Sequence, residues 1–123
     1  MNKKEWKHCI PFFTAEECGE EMDAAFMIKV RALRIILDTP MIVICGYDER
    51  PGFHGLGRAL DFWTKDSPRK TMRVIDRTAM FNGLGFYPWG AHLSFHIDDR
   101  PPERYQRWVS PERGEYIYLM RGT

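Results

Sequence analysis

His54-Gly55-Leu56-Gly57-Arg58-Ala59-Leu60-Asp61-Phe62-Trp63 is the stretch on which the fold turns. A histidine and an aspartate seven apart would share a helix face, two turns from one another. Gly55, Gly57 and the neighbouring Pro51 and Gly52 make a helix unfavourable, because each glycine costs about 1 kcal/mol against alanine. The segment instead reads as a glycine-rich loop carrying His54, followed by a short strand over residues 58–63. In that strand Ala59 and Asp61 share one face, and Leu60 and Phe62 take the other, core-facing side.

A second stretch, His92-Leu93-Ser94-Phe95-His96-Ile97-Asp98, alternates in the same way. Period two places His92, Ser94, His96 and Asp98 on one face and Phe95 and Ile97 on the other. Neighbours on that face lie roughly 6.5 to 7 Å apart, near enough for one to bind a metal and the next to reach its water. Together the two stretches offer His, Asp and His. Such a nitrogen and oxygen set leaves a fourth zinc position open. A set without cysteine favours hydrolytic or Lewis-acid work over a purely structural zinc.

Outward from these stretches, Thr14-Ala15-Glu16-Glu17 has the form of a capping box. The helical spacing of Cys18, Met22, Ala25, Phe26, Val30, Leu33, Ile36 and Leu37 predicts one long helix, stopped at Asp38-Thr39-Pro40. Met41 to Cys45 is a β-branched run of buried-strand type, and Cys45 reads as a small buried residue. Ser67-Pro68 opens a second helix, to about residue 81, whose wet face carries Lys65, Arg69, Lys70, Arg73 and Arg77. Strands are expected at 84–87 and 93–98, joined through Pro88-Trp89-Gly90, and at 115–120. This order predicts an α+β domain, a mostly antiparallel sheet with helices packed on it.

The chain has 123 residues, enough for one domain and too few for two, so 1–123 is expected to be a single unit. With 44% apolar and 28% charged residues it can build a core and remain hydrated. The longest apolar run is strand-sized, so no membrane span is expected. Eighteen Lys and Arg against 17 Asp and Glu leave +1, which argues against a nucleic-acid partner. Cys9, Cys18 and Cys45 form neither a disulfide framework nor a CxxC pair. The first twenty residues are rich in charge and encode no secretory signal.

His54-x-x-Gly57-x-Ala59-x-Asp61, then Gly83-Leu84-Gly85-Phe86-Tyr87, Phe95-His96-Ile97-Asp98 and Arg107-Trp108, resembles the zinc D-Ala-D-Ala carboxypeptidase and phage L-alanoyl-D-glutamate endopeptidase family, whose zinc fold is shared with hedgehog domains. The resemblance runs from about residue 42 to 108. It implies that fold, one zinc per chain, and His54, Asp61 and His96 as its ligands. It implies a peptidase acting on peptidoglycan stem peptides, either as a D-Ala-D-Ala carboxypeptidase or as an L-Ala-D-Glu endopeptidase. Members often carry an SGYR-like segment whose arginine holds the substrate carboxylate. This chain has Cys45-Gly46-Tyr47-Asp48, and Arg50 is the nearest arginine, so Arg50 and Tyr47 are the substrate-binding candidates. Some members place an acid three residues before the last histidine, where this chain has Leu93. The general base then falls to Asp98, with His92 as a donor to the oxyanion or, in the rival assignment, as the base itself. Tyr87, Trp89 and Trp108 are candidates for the cleft walls. A monomer is expected, made in the cytoplasm and reaching the wall at phage or prophage lysis, or as part of a virion. The alternative is a zinc-stabilised binding or structural domain of the same fold without activity.

Overall fold

Buried Phe26, Met27, Val30, Leu33 and Leu37 line one side of a 14-residue helix, and the rest of the molecule is arranged to cover them. The computed structural model describes residues 1–119. Its helices are α1 (Lys3–Lys7), α2 (Ala15–Cys18), α3 (Ala24–Leu37) and α4 (Pro68–Thr78). Its strands are β1 (Ile42–Cys45), β2 (Ala59–Trp63), β3 (Gly83–Tyr87), β4 (Ser94–Asp98), β5 (Gln106–Val109) and β6 (Ile117–Tyr118). They form one sheet in the order β1-β2-β4-β3-β5-β6, antiparallel throughout except where β3 meets β5. The expected α+β architecture with a mostly antiparallel sheet is what the chain adopts.

Register gives the sheet two chemically distinct faces. Leu60, Ile97 and Leu84 stand opposite one another across β2, β4 and β3, and Phe62, Phe95 and Phe86 form the next row. These rows join the apolar side of α3, Ile75 of α4 and Phe81 in one core. One residue along each strand the side chains point the other way. There the row is Cys45, Asp61, His96, Gly85 and Trp108, from β1 to β5. The polar centre of the molecule is therefore a single line across the sheet, backed by a dry core.

Several elements depart from the sequence reading. The long first helix is two helices. Thr14 and Glu17 cap α2 reciprocally as a capping box, but the chain turns at Gly19, and α3 restarts with Asp23 accepting a hydrogen bond from Phe26 N at 2.9 Å. Met22 keeps the helical period only because it is buried from the turn. Helix α4 begins as expected at Ser67-Pro68 and ends three residues early, at Thr78, with Ala79 as its C-cap at φ 53°. Strand β4 begins at Ser94, so His92 and Leu93 belong to the loop before it. Strand β5 and helix α1 were not expected, and the last strand is reduced to β6. Residue 120, the end of that expected strand, lies outside the described residues.

Candidate metal centre

His54 is delivered by a short 3-10 turn, His54–Leu56, closed by Gly57 at φ 67°. Gly57 is required there twice over. Its backbone is left-handed, and a Cβ would run into the Glu21 carbonyl, which lies against it because Gly57 O accepts from Asp23 N at 2.9 Å. The loop is thus stitched to the start of α3. Asp61 comes from the middle of β2 and His96 from the middle of β4, directly paired in register.

The two histidines meet on one carboxylate. Asp61 Oδ2 lies 3.3 Å from His54 Nε2, and Asp61 Oδ1 lies 2.8 Å from His96 Nδ1. Each ring is held by its other nitrogen. His54 Nδ1 donates to the Gly46 carbonyl at 2.7 Å, which leaves Nε2 as the nitrogen facing Asp61. His96 Nε2 donates to Asp98 Oδ2 at 2.7 Å, which leaves Nδ1 facing Asp61. Histidine ligands of metals are commonly oriented in this way, with the outer N–H on a carbonyl or a carboxylate. Trp108 lies with its ring centroid 5.3 Å from that of His96, seated where a Cβ on Gly85 would collide with its indole.

Electrostatics in the absence of a metal follow from these contacts. Burial alone would push the His96 imidazolium towards losing its proton, but hydrogen bonds to Asp61 and Asp98 win and raise its pKa to about 9. Burial opposes ionisation of Asp61 as well, and the two histidines overcome it, holding the carboxyl at about 2. The metal-free centre is therefore a pair of carboxylates around an imidazolium. A cation that replaces the proton on Nδ1 keeps the charge pattern.

Cys45, expected to be an inert buried residue, instead enters this neighbourhood. Cys45, His54 and Asp61 form a group that could hold a metal ion, with candidate donor atoms within 4.8 Å of one another. His54 and Asp61 are therefore flanked by Cys45 on one side and, across the Asp61 carboxylate, by His96 on the other. The Cys45 Sγ lies 3.8 Å from His54 Nδ1, the nitrogen already committed to Gly46. Burial first, then Asp61 and Asp48, push its thiol pKa up, away from the thiolate that binds metals. His96 Nδ1 faces the other oxygen of Asp61 and lies outside this group.

A cleft of about 620 Å³ opens over these residues. Beside His54, Asp61 and His96 it is lined by Arg50, Tyr87, Trp89, His92, Ser94 and Tyr116. Arg50 stands on its rim, held by Asp48 through a 2.9 Å ion pair. His92 lies on Trp63, ring centroids 3.7 Å apart and nearly parallel. Tyr87 accepts a hydrogen bond from Trp108 Nε1 at 2.9 Å, and burial lifts its pKa to about 12, so its hydroxyl stays neutral.

Two expected roles do not fit this arrangement. Tyr47 is absent from the cleft lining and packs against the core, its Cβ where Gly19 allows no side chain. Asp98 shares a face with His96 as strand parity requires, but its side chain is fully buried behind that ring. Arg100 grips both its oxygens, from Nε at 2.8 Å and from Nη2 at 2.7 Å. Burial opposes the charge and these partners more than offset it, so the Asp98 carboxyl lies well below the usual range. A carboxylate so placed is an anchor for His96, with little capacity to accept a proton from the cleft. Sequence reasoning missed Arg100, because no local pattern announces that residue 100 folds back on residue 98.

Comparison with known protein families, with curated proteins and with solved structures returns no match for this chain.

Proposed function

We propose that the chain is a zinc-dependent peptidase of the hedgehog and DD-peptidase type of fold, hydrolysing peptide bonds of peptidoglycan stem peptides. One observation carries the reading. Two histidine rings are aimed at the two oxygens of one half-buried aspartate, each locked by its outer nitrogen, on the floor of an open cleft. His54 Nε2, Asp61 and His96 Nδ1 would hold the metal. Zinc in such a site acts as a Lewis acid on a carbonyl and lowers the pKa of water to roughly 7.

The remaining roles fall to the chain's own side chains. Arg50 meets the carboxylate of a stem peptide at the rim. Tyr87, neutral and with its oxygen already accepting from Trp108, has its O–H hydrogen to donate to the oxygen that gains charge. His92, the cleft-lining histidine outside the ligand set, takes a proton from the attacking water and returns it to the leaving amine. Trp63 holds the His92 ring in a fixed orientation for this.

A second reading, an inactive zinc-stabilised domain, draws on the burial of Asp98, since Asp61 is the sole carboxylate among the cleft-lining residues. Incubating zinc-loaded protein with purified murein and counting new amino groups separates the two. Release that a chelator stops supports the peptidase. Zinc binding without any release, on carboxypeptidase and endopeptidase substrates alike, supports the inactive domain.

A further inference from the structure

Arg100 touches several of the centre's supports at once. Its guanidinium forks onto Asp98, and its backbone N–H reaches the same carboxylate at 3.1 Å. The Cζ atom lies 5.2 Å from the ring centroid of Phe53, the residue before His54. It also lies 5.1 Å from the Trp108 ring, which itself stands against His96. Its carbonyl accepts from Asn82 Nδ2 at 2.8 Å, tying the turn to the start of β3. One side chain, 16% exposed, therefore contacts the loop that carries His54, the anchor of His96 and the aromatic wall between them.

We infer that Arg100 is the positioning residue of the metal centre, fixing His96 through Asp98 and the His54 loop through Phe53, and so setting how tightly metal is held. The inference rests on the ligand set proposed above. Arginine suits the task for a physical reason. Its planar guanidinium can make two parallel bonds to a carboxylate while presenting flat faces to aromatic rings, and an ammonium can do neither. Partners of this kind, one step removed from the ligands, typically change metal affinity by 10- to 100-fold when lost.

Arg100→Lys keeps a positive charge near Asp98 and removes the fork and the stacking. Zinc affinity measured by competition with a chromophoric chelator should fall by roughly 10- to 100-fold. Because part of the effect of Arg100 runs through Asp98 and the rest through Phe53, Asp98→Asn combined with Arg100→Lys should lose less zinc affinity than the two single losses added together. Arg104 also lies over Phe53, at 5.2 Å, and is exposed, so Arg104→Ala serves as the control and should bind like the wild type. If Arg100→Lys does not fold, Phe53→Leu carries the test by removing one stacking face, and its zinc affinity should fall severalfold. Wild-type affinity in Arg100→Lys, or in Phe53→Leu where that variant carries the test, would overturn the inference, as would fully additive losses in the double variant. Wild-type protein that binds no zinc at all would instead remove the ligand set on which the inference stands.

Discussion

Asp98→Asn separates two roles that strand parity alone cannot distinguish. The substitution keeps size and one acceptor oxygen but removes a charge that is fully buried between His96 and Arg100. Arg100 would then be left largely enclosed beside a neutral amide. Breaking a buried ion pair on one side costs about 3 to 5 kcal/mol, and Arg100, slightly exposed, should place the loss near the lower figure of about 3 kcal/mol. His96 would lose its orienting carboxylate at the same time, and zinc affinity should drop by roughly 10- to 100-fold. Denaturant unfolding of the metal-free protein reads the first effect and chelator competition the second. Hydrolysis at saturating zinc should then be reduced far less than the loss of a base requires. The opposite pattern refutes the reasoning: stability and zinc affinity close to wild type, with turnover lowered by about 10²- to 10⁴-fold, would make Asp98 the general base.

Three further outcomes follow from the cleft and the sheet. His92→Gln should retain zinc and lose about 10²-fold or more in turnover, whereas a change within about threefold would remove His92 from proton transfer. Tyr87→Phe should lower kcat by about 10²- to 10³-fold with zinc content unchanged; wild-type kcat would show that its hydroxyl does not meet the developing charge. Gly85→Ala forces a methyl group into the Trp108 indole and should cost about 1 to 3 kcal/mol in denaturant unfolding, so an unchanged midpoint would mean that the indole has room to move.

Much of the candidate site is legible because strand alternation is local. Asp61 and His96 each sit mid-strand between apolar neighbours, and period two is enough to send both to the face opposite Leu60, Phe62, Phe95 and Ile97. The glycines around His54 announced a loop for the same reason, since their backbone requirement is written in single residues. What was not legible depends on contacts between distant segments. The apolar period runs unbroken through Met22, while the turn at Gly19 and the bond from Asp23 to Gly57 divide the helix there. Cys45 reaches the centre because β1 carries an irregularity between Val43 and Cys45 that brings it opposite Asp61. Asp98 has the predicted parity and the wrong environment, because His96 and Arg100 close over its carboxylate, which lies against Gly83. Strand β5 is held by pairing with β3, and its short Gln106-Arg107-Trp108-Val109 run follows a proline-rich turn that masks it.

X-ray absorption or anomalous diffraction at the zinc edge, on protein loaded with one equivalent of metal, tests the central claim most directly. Zinc should be bound by His54 Nε2, the Asp61 carboxylate and His96 Nδ1 at about 2.0 to 2.2 Å, with no sulfur in its shell. A sulfur neighbour at about 2.3 Å from Cys45, with His96 left on Asp98 and outside the shell, would contradict it.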